Sequence, residues 1–150
     1  MNDKQTISTL NNLIETCKDG EYGFKASAEH AVNPQIKDLF LARAQDCRLA
    51  AAELQTIVMQ QGGKPEDSGT ASGTVHRGWV AVKGTLAGYT DLAMLEETER
   101  GEDAALARYR SALKEDLPQD IRSLLEAQLQ GVQRNHDQIR LLRDQYRAVA

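Results

Sequence analysis

Pro34 and Pro118 each fall between two long stretches in which apolar side chains recur every three or four residues. That spacing puts about one apolar side chain per turn on a single helical face, and proline cannot sit inside such a helix because it lacks a backbone N–H and collides with the preceding turn. The residue before a proline is pushed out of the helical region, whereas proline itself suits a first helical turn. Each proline therefore marks the turn of a hairpin made of two antiparallel helices.

In the first hairpin, residues 4–31 carry Ile7, Leu10, Ile14, Cys17, Phe24 and Ala28 on one seam, which Glu21 interrupts. Residues 34–61 continue with Ile36, Phe40, Cys47, Ala50, Leu54 and Ile57, interrupted by Arg43, and Gly62-Gly63 supplies the residues that a helix C-terminus favours. The second hairpin pairs residues 90–115, with Leu95, Glu99, Glu102 or Asp103, Leu106 and Tyr109 on its seam, with residues 119–147, which carry Leu125, Val132, Asn135 or His136, and Ile139. Thr90 or Asp91 can cap the third long helix. Between the hairpins, "GGKPEDSGTASG" has no apolar period and reads as an exposed loop. Val75, Trp79, Val82 and Leu86 then recur at helical spacing, which predicts a short helix over 75–87 within the connection.

A chain of 150 residues suffices for a single domain spanning 1–150, and with 5% aromatics its core must be built from Leu, Ile, Val and Ala, which favours helices over a sandwich. Acids and bases are interspersed around a net charge of −4, so there is no basic stripe to neutralise a phosphate backbone and no nucleic-acid partner is expected. "MNDKQTISTL" lacks a basic segment followed by an apolar one, and no run of about 18 apolar residues occurs, so a cytoplasmic protein without a membrane segment is expected. Cys17 and Cys47 have neither CxxC spacing nor a neighbouring histidine and read as buried reduced thiols, able to bridge only if the fold brings them together.

Counting from the hairpin turns shows which polar seam residues share a level. Glu21 and Arg43 are about equally far from the first turn, and Glu99 and His136 from the second. If the second helix ran directly into an antiparallel third, Glu99 would lie roughly 12 Å along the bundle from Glu21. If residues 63–89 cross the length of the bundle instead, Glu21, Arg43, Glu99 and His136 fall in one inner layer, with Asp46 one turn from Arg43. The length of the connection favours the crossover.

A crossover bundle with an inner polar layer is the ferritin-like arrangement. "HRGW" at 76–79, "ERGEDAAL" at 99–106 and "NHDQIRLLRD" at 135–144 carry a closer resemblance, to an uncharacterised bacterial family of four-helix-bundle proteins in the ferritin-like superfamily. The resemblance implies an all-α fold of two antiparallel hairpins joined by a long crossover containing a short helix, and a homo-oligomer. The superfamily's dinuclear iron pattern takes one Glu from each of two helices and Glu-x-x-His from each of the others. Glu21 and Glu99 match it, but the second helix reads Arg43-Ala-Gln-Asp46 and the fourth Gln133-Arg-Asn-His136, which retains only the histidine.

A guanidinium cannot ligate a metal, but it can pair with the carboxylates of Glu21 and Glu99. The expectation is therefore a non-catalytic bundle without a cofactor, its inner layer formed by Glu21, Arg43, Asp46, Glu99 and His136. A stress-associated or scaffolding role is what the resemblance implies. Two alternatives stay open. One is an oxidase holding iron or manganese through Glu21, Glu99 and His136; the other is an adaptor that docks a protein partner on Val75, Trp79 and Val82 through the 63–89 connection. The sequence offers no nucleophile–base pair, phosphate-binding glycine loop or histidine cluster, so hydrolase, kinase and nucleotide-binding chemistry have no residues to stand on.

Overall fold

The computed structural model describes residues 3–67 and 90–149. Four helices follow in order: α1 Asp3–His30, α2 Pro34–Gln60, α3 Asp91–Leu113 and α4 Gln119–Ala148. Their bounds lie within two residues of those expected from the apolar spacing. The short helix expected over 75–87, with Val75, His76, Trp79 and Val82, lies outside the described residues.

Local chemistry sets the helix ends. Asn33 caps α2, its side-chain oxygen accepting from the Gln35 N–H at 2.8 Å, while Pro34 occupies the first turn, where no N–H is needed. At the other end Gly62 adopts φ +82°, its N–H bonding to Met59 O at 3.0 Å and that of Gly63 to Val58 O at 2.9 Å. This is a Schellman closure, and a left-handed residue there favours glycine. Thr90 caps α3 by accepting from the Ala93 N–H at 3.1 Å.

Asp91 takes a different part and fixes the topology. Its carboxylate accepts from the backbone N–H groups of Val32 (2.7 Å) and Asn33 (3.0 Å), so α3 begins beside the α1–α2 turn. The chain leaves α2 at the opposite end, where Asn11 bonds to Lys64 O and to the Glu66 N–H. Residues between these points must therefore connect one end of the bundle to the other, which is the crossover arrangement.

α1 packs closely on α2 and on α3, and α3 on α4. The apolar interior forms two clusters. One contains Leu10, Ile14, Cys17, Leu54, Leu106 and Leu125, while the other contains Phe24, Phe40, Cys47, Met94 and Ile139. Between them lies a level of buried charge.

Candidate metal centre

The periodicity that builds the core also buries the charged residues. On α2, Arg43 shares the inward face of Phe40, Ala44 and Cys47, and it is only 8% exposed. On α3, Glu102 shares the face of Leu95, Glu99 and Leu106 and is 2% exposed. Arg43 Nε donates to Glu102 Oε1 at 2.8 Å, and Asn135 Nδ2 on α4 donates to the same oxygen at 2.7 Å. Burial opposes the charge on Arg43, but the carboxylate of Glu102, which also accepts its hydrogen bond, helps to outweigh it and hold the guanidinium protonated.

The sequence expectation paired Arg43 with Glu21 and Glu99, and here the structure differs. Glu21 lies at the edge of α1's inward face, where Lys25 at 2.9 Å and Lys18 at 3.9 Å hold its carboxylate. These lysines stand one turn before and one turn after it, the spacing at which side chains meet on a helix. Asp46 is mostly exposed and approaches Arg43 Nη1 only to 3.7 Å. Arg43 is thus neutralised chiefly by Glu102, one turn beyond Glu99.

Glu99 and His136 do come together, as neighbours across α3 and α4. His136 Nε2 is 3.8 Å from Glu99 Oε2 and 2.6 Å from Asp103 Oδ1. Arg143 holds the other oxygen of Glu99. His136 Nδ1 lies 3.2 Å from Asp137 Oδ1, a contact that pulls the Asp137 carboxyl below its usual range. Glu99, Asp103 and His136 form a group whose ligand atoms lie within 4.8 Å of one another.

Beside the Arg43–Glu102 pair is a cavity of about 380 Å³, lined in part by Cys17, Cys47, Arg43, Glu102, Tyr109 and Gln128. Tyr109 Oη donates to Gln128 Oε1 at 2.8 Å and lies 3.3 Å from Cys17 Sγ. Both cysteines are free thiols. Burial pushes the Cys17 thiol from an ordinary value of 9.0 up to about 11, and raises Cys47 and Tyr109 as well.

A reactive cysteine attacks as its thiolate, so these thiols are held in the unreactive form. Iodoacetamide at pH 8 should label Cys17 roughly a hundredfold more slowly in the folded protein than in urea. The folded thiol keeps its proton to higher pH than the unfolded one. Stability should consequently fall as pH rises from about 9 to 11, by roughly 2–3 kcal/mol for Cys17, measurable by urea unfolding at the two pH values. Equal labelling rates, or stability that does not fall, would contradict this reading.

Among the described residues, Glu21, Arg43, Glu99 and His136 do not converge on one point as a dinuclear ligand set would. Glu21 and Glu99 are engaged by cations, and where the second helix should present a carboxylate it presents a guanidinium, which cannot coordinate. This donor set does not fit two bridged irons, because such a pair needs several carboxylates to bridge the ions and balance their charge.

Comparison with known structures agrees with the topology. A structure of a mutant of Dps1 from Mycobacterium smegmatis superposes with a TM-score of 0.80 at 17% identity, covering 93% of this chain and 95% of that one. A dodecameric thioferritin from Bacteroides fragilis, described as bacterioferritin-related, superposes with a TM-score of 0.78 at 14% identity, covering 99% and 90%. At these identities the likeness shows a ferritin-like fold. No curated protein matches the sequence. The model of the family described as "Domain of unknown function (DUF2383)" matches residues 5–115. With a match over most of its length, the chain belongs to this DUF2383 family, and its crossover four-helix bundle has the ferritin-like fold of its structural neighbours.

Proposed function

We propose that this protein is a non-catalytic ferritin-like bundle whose dinuclear layer has degenerated into a protein-borne ion pair, and that it acts by self-association in a stress-associated or scaffolding role. The observation that carries this reading is the 2.8 Å contact between buried Arg43 and buried Glu102. The positive charge that a dinuclear centre draws from its metals is supplied here by a guanidinium, which neither changes oxidation state nor binds oxygen.

Assembly is supported by the dodecameric description of the Bacteroides fragilis neighbour and by the outward side of α2, where Leu41 and Leu49 are about half exposed. A second copy would cover these leucines. Among the described residues, no helix is long and apolar enough to cross a membrane.

Fe(II) oxidation in air, followed by the ultraviolet absorbance of the ferric product, tests the reading. Oxidation should be no faster with the protein than without it. A protein-dependent rate that disappears in Glu21→Ala would restore the dinuclear oxidase and overturn the proposal.

A further inference from the structure

The geometry points to a binding site for a single divalent cation at Glu99, Asp103 and His136, on the α3–α4 face and separate from the Arg43–Glu102 pair. Glu99 and Asp103 lie four residues apart on α3, so their carboxylates project from the same side of the helix. His136 on α4 faces them. The residue is 6% exposed, and its Nε2 has no hydrogen-bond partner among the described residues. Although Asp103 Oδ1 approaches to 2.6 Å, the two atoms are not aligned for a hydrogen bond.

The opposite ring nitrogen indicates which proton arrangement suits the site. Nδ1 lies 3.2 Å from the Asp137 carboxylate, and with the ring proton on Nδ1 to donate there, the Nε2 lone pair faces Asp103 and Glu99. A lone pair directed at two carboxylate oxygens is repulsive unless a cation stands between them. A carboxylate behind the imidazole is also the usual support of a metal-bound histidine, fixing its tautomer and raising its basicity. Arg143 holds Glu99 by Oε1, and Oε2 remains on the histidine side.

One nitrogen and two carboxylate donors suit a first-row ion such as Mn(II), Fe(II), Co(II) or Zn(II) better than Ca(II) or Mg(II), which take oxygen ligands. Such ions sit about 2.0–2.2 Å from their ligands, which holds adjacent donor atoms roughly 3 Å apart. Nε2 and Asp103 Oδ1 must then separate by a few tenths of an ångström. The Asp103 side chain can do this because it is 61% exposed and carries no packing load. That exposure also lets a cation enter from solution, with water completing its coordination.

Calorimetric titration of untagged protein with Zn(II) tests the assignment. One Zn(II) per chain is expected, with binding weakened at least tenfold in Asp103→Asn and lost in His136→Gln. Asp137→Asn should weaken it about tenfold through the tautomer. Nitrogen-15 chemical shifts of the His136 ring give a second reading, since Zn(II) should move the Nε2 resonance and leave the protonated Nδ1 in place. The site is overturned by no saturable binding, by binding unchanged in both Asp103→Asn and His136→Gln, or by a ring protonated on both nitrogens that takes up no cation. Glu21→Gln should bind as the parent does. Loss of binding there would move the cation to the bundle centre and likewise overturn it.

Discussion

Glu102→Ala should lower the unfolding free energy by about 3–5 kcal/mol, one of the two largest effects expected of a single substitution in this protein. The carboxylate is 2% exposed and accepts both the Arg43 Nε–H and the Asn135 amide. Its removal leaves a guanidinium at 8% exposure with, among the described residues, only Asp46, 3.7 Å away, as an ion-pair partner. Taking a charge out of water costs several kcal/mol, and that cost reappears once the partner is gone.

The double replacement Arg43→Met/Glu102→Leu should behave quite differently. It removes both charges together and joins the two apolar clusters that the polar level separates. Replacing a buried ion pair by packed apolar side chains is often neutral or stabilising, so its stability should lie within about 1 kcal/mol of the parent or above it. Asn135 loses its acceptor in this variant, but it is only partly buried, and water can take its amide. Urea unfolding followed by circular dichroism compares the three proteins. A Glu102→Ala cost below about 1 kcal/mol would mean that Arg43 reaches solvent or another acid and that the buried pair is not what holds this level.

Phe40→Ala should be comparably severe, at about 3–5 kcal/mol, for an unrelated reason. Phe40 is fully buried and its ring packs against that of Phe24 with centroids 5.9 Å apart. Truncation removes the ring's burial and leaves a cavity that the helices on either side can only partly close. At roughly 2–4 °C per kcal/mol for a chain of this size, the melting temperature should fall by about 10 °C. The rings lie on the turn side of the polar level, so Phe40→Ala tests the apolar packing apart from the charges. A cost under about 1.5 kcal/mol would indicate that the interior collapses around the gap.

The elements that proved readable in the sequence have strong local causes. Pro34 and Pro118 fix the hairpin turns, Gly62 supplies the left-handed residue that ends α2, and Thr90 caps α3. The crossover could be inferred from the length of the 63–89 connection, and it is what brings Glu99 near the level of Arg43. What the spacing could not fix was rotation. Successive helical residues point about 100° apart, so a modest turn of α3 about its axis decides whether Glu99, Glu102 or Asp103 faces the centre. Glu102 takes that place, leaving Glu99 and Asp103 toward α4.

The same ambiguity held for Asn135 and His136. Both face α3, but Asn135 reaches Glu102 while His136 meets Glu99 and Asp103. Glu21 carried a signal that the seam obscured. Lys18 and Lys25 flank it at the spacings where salt bridges form along one helix, and they hold its carboxylate at the edge of the bundle. Arg143 gave no such warning, because its contact with Glu99 depends on how α4 crosses α3.

In the reading proposed here, the Arg43 guanidinium takes the place of the metals of a ferritin-like centre. Elemental analysis of the protein after anaerobic Fe(II) loading and desalting tests it most directly, with Glu21→Ala and His136→Ala measured alongside. No more than one iron per chain is expected, unaffected by Glu21→Ala and absent from His136→Ala. Two irons per chain, lost when Glu21 is replaced, would show a working dinuclear centre and contradict it.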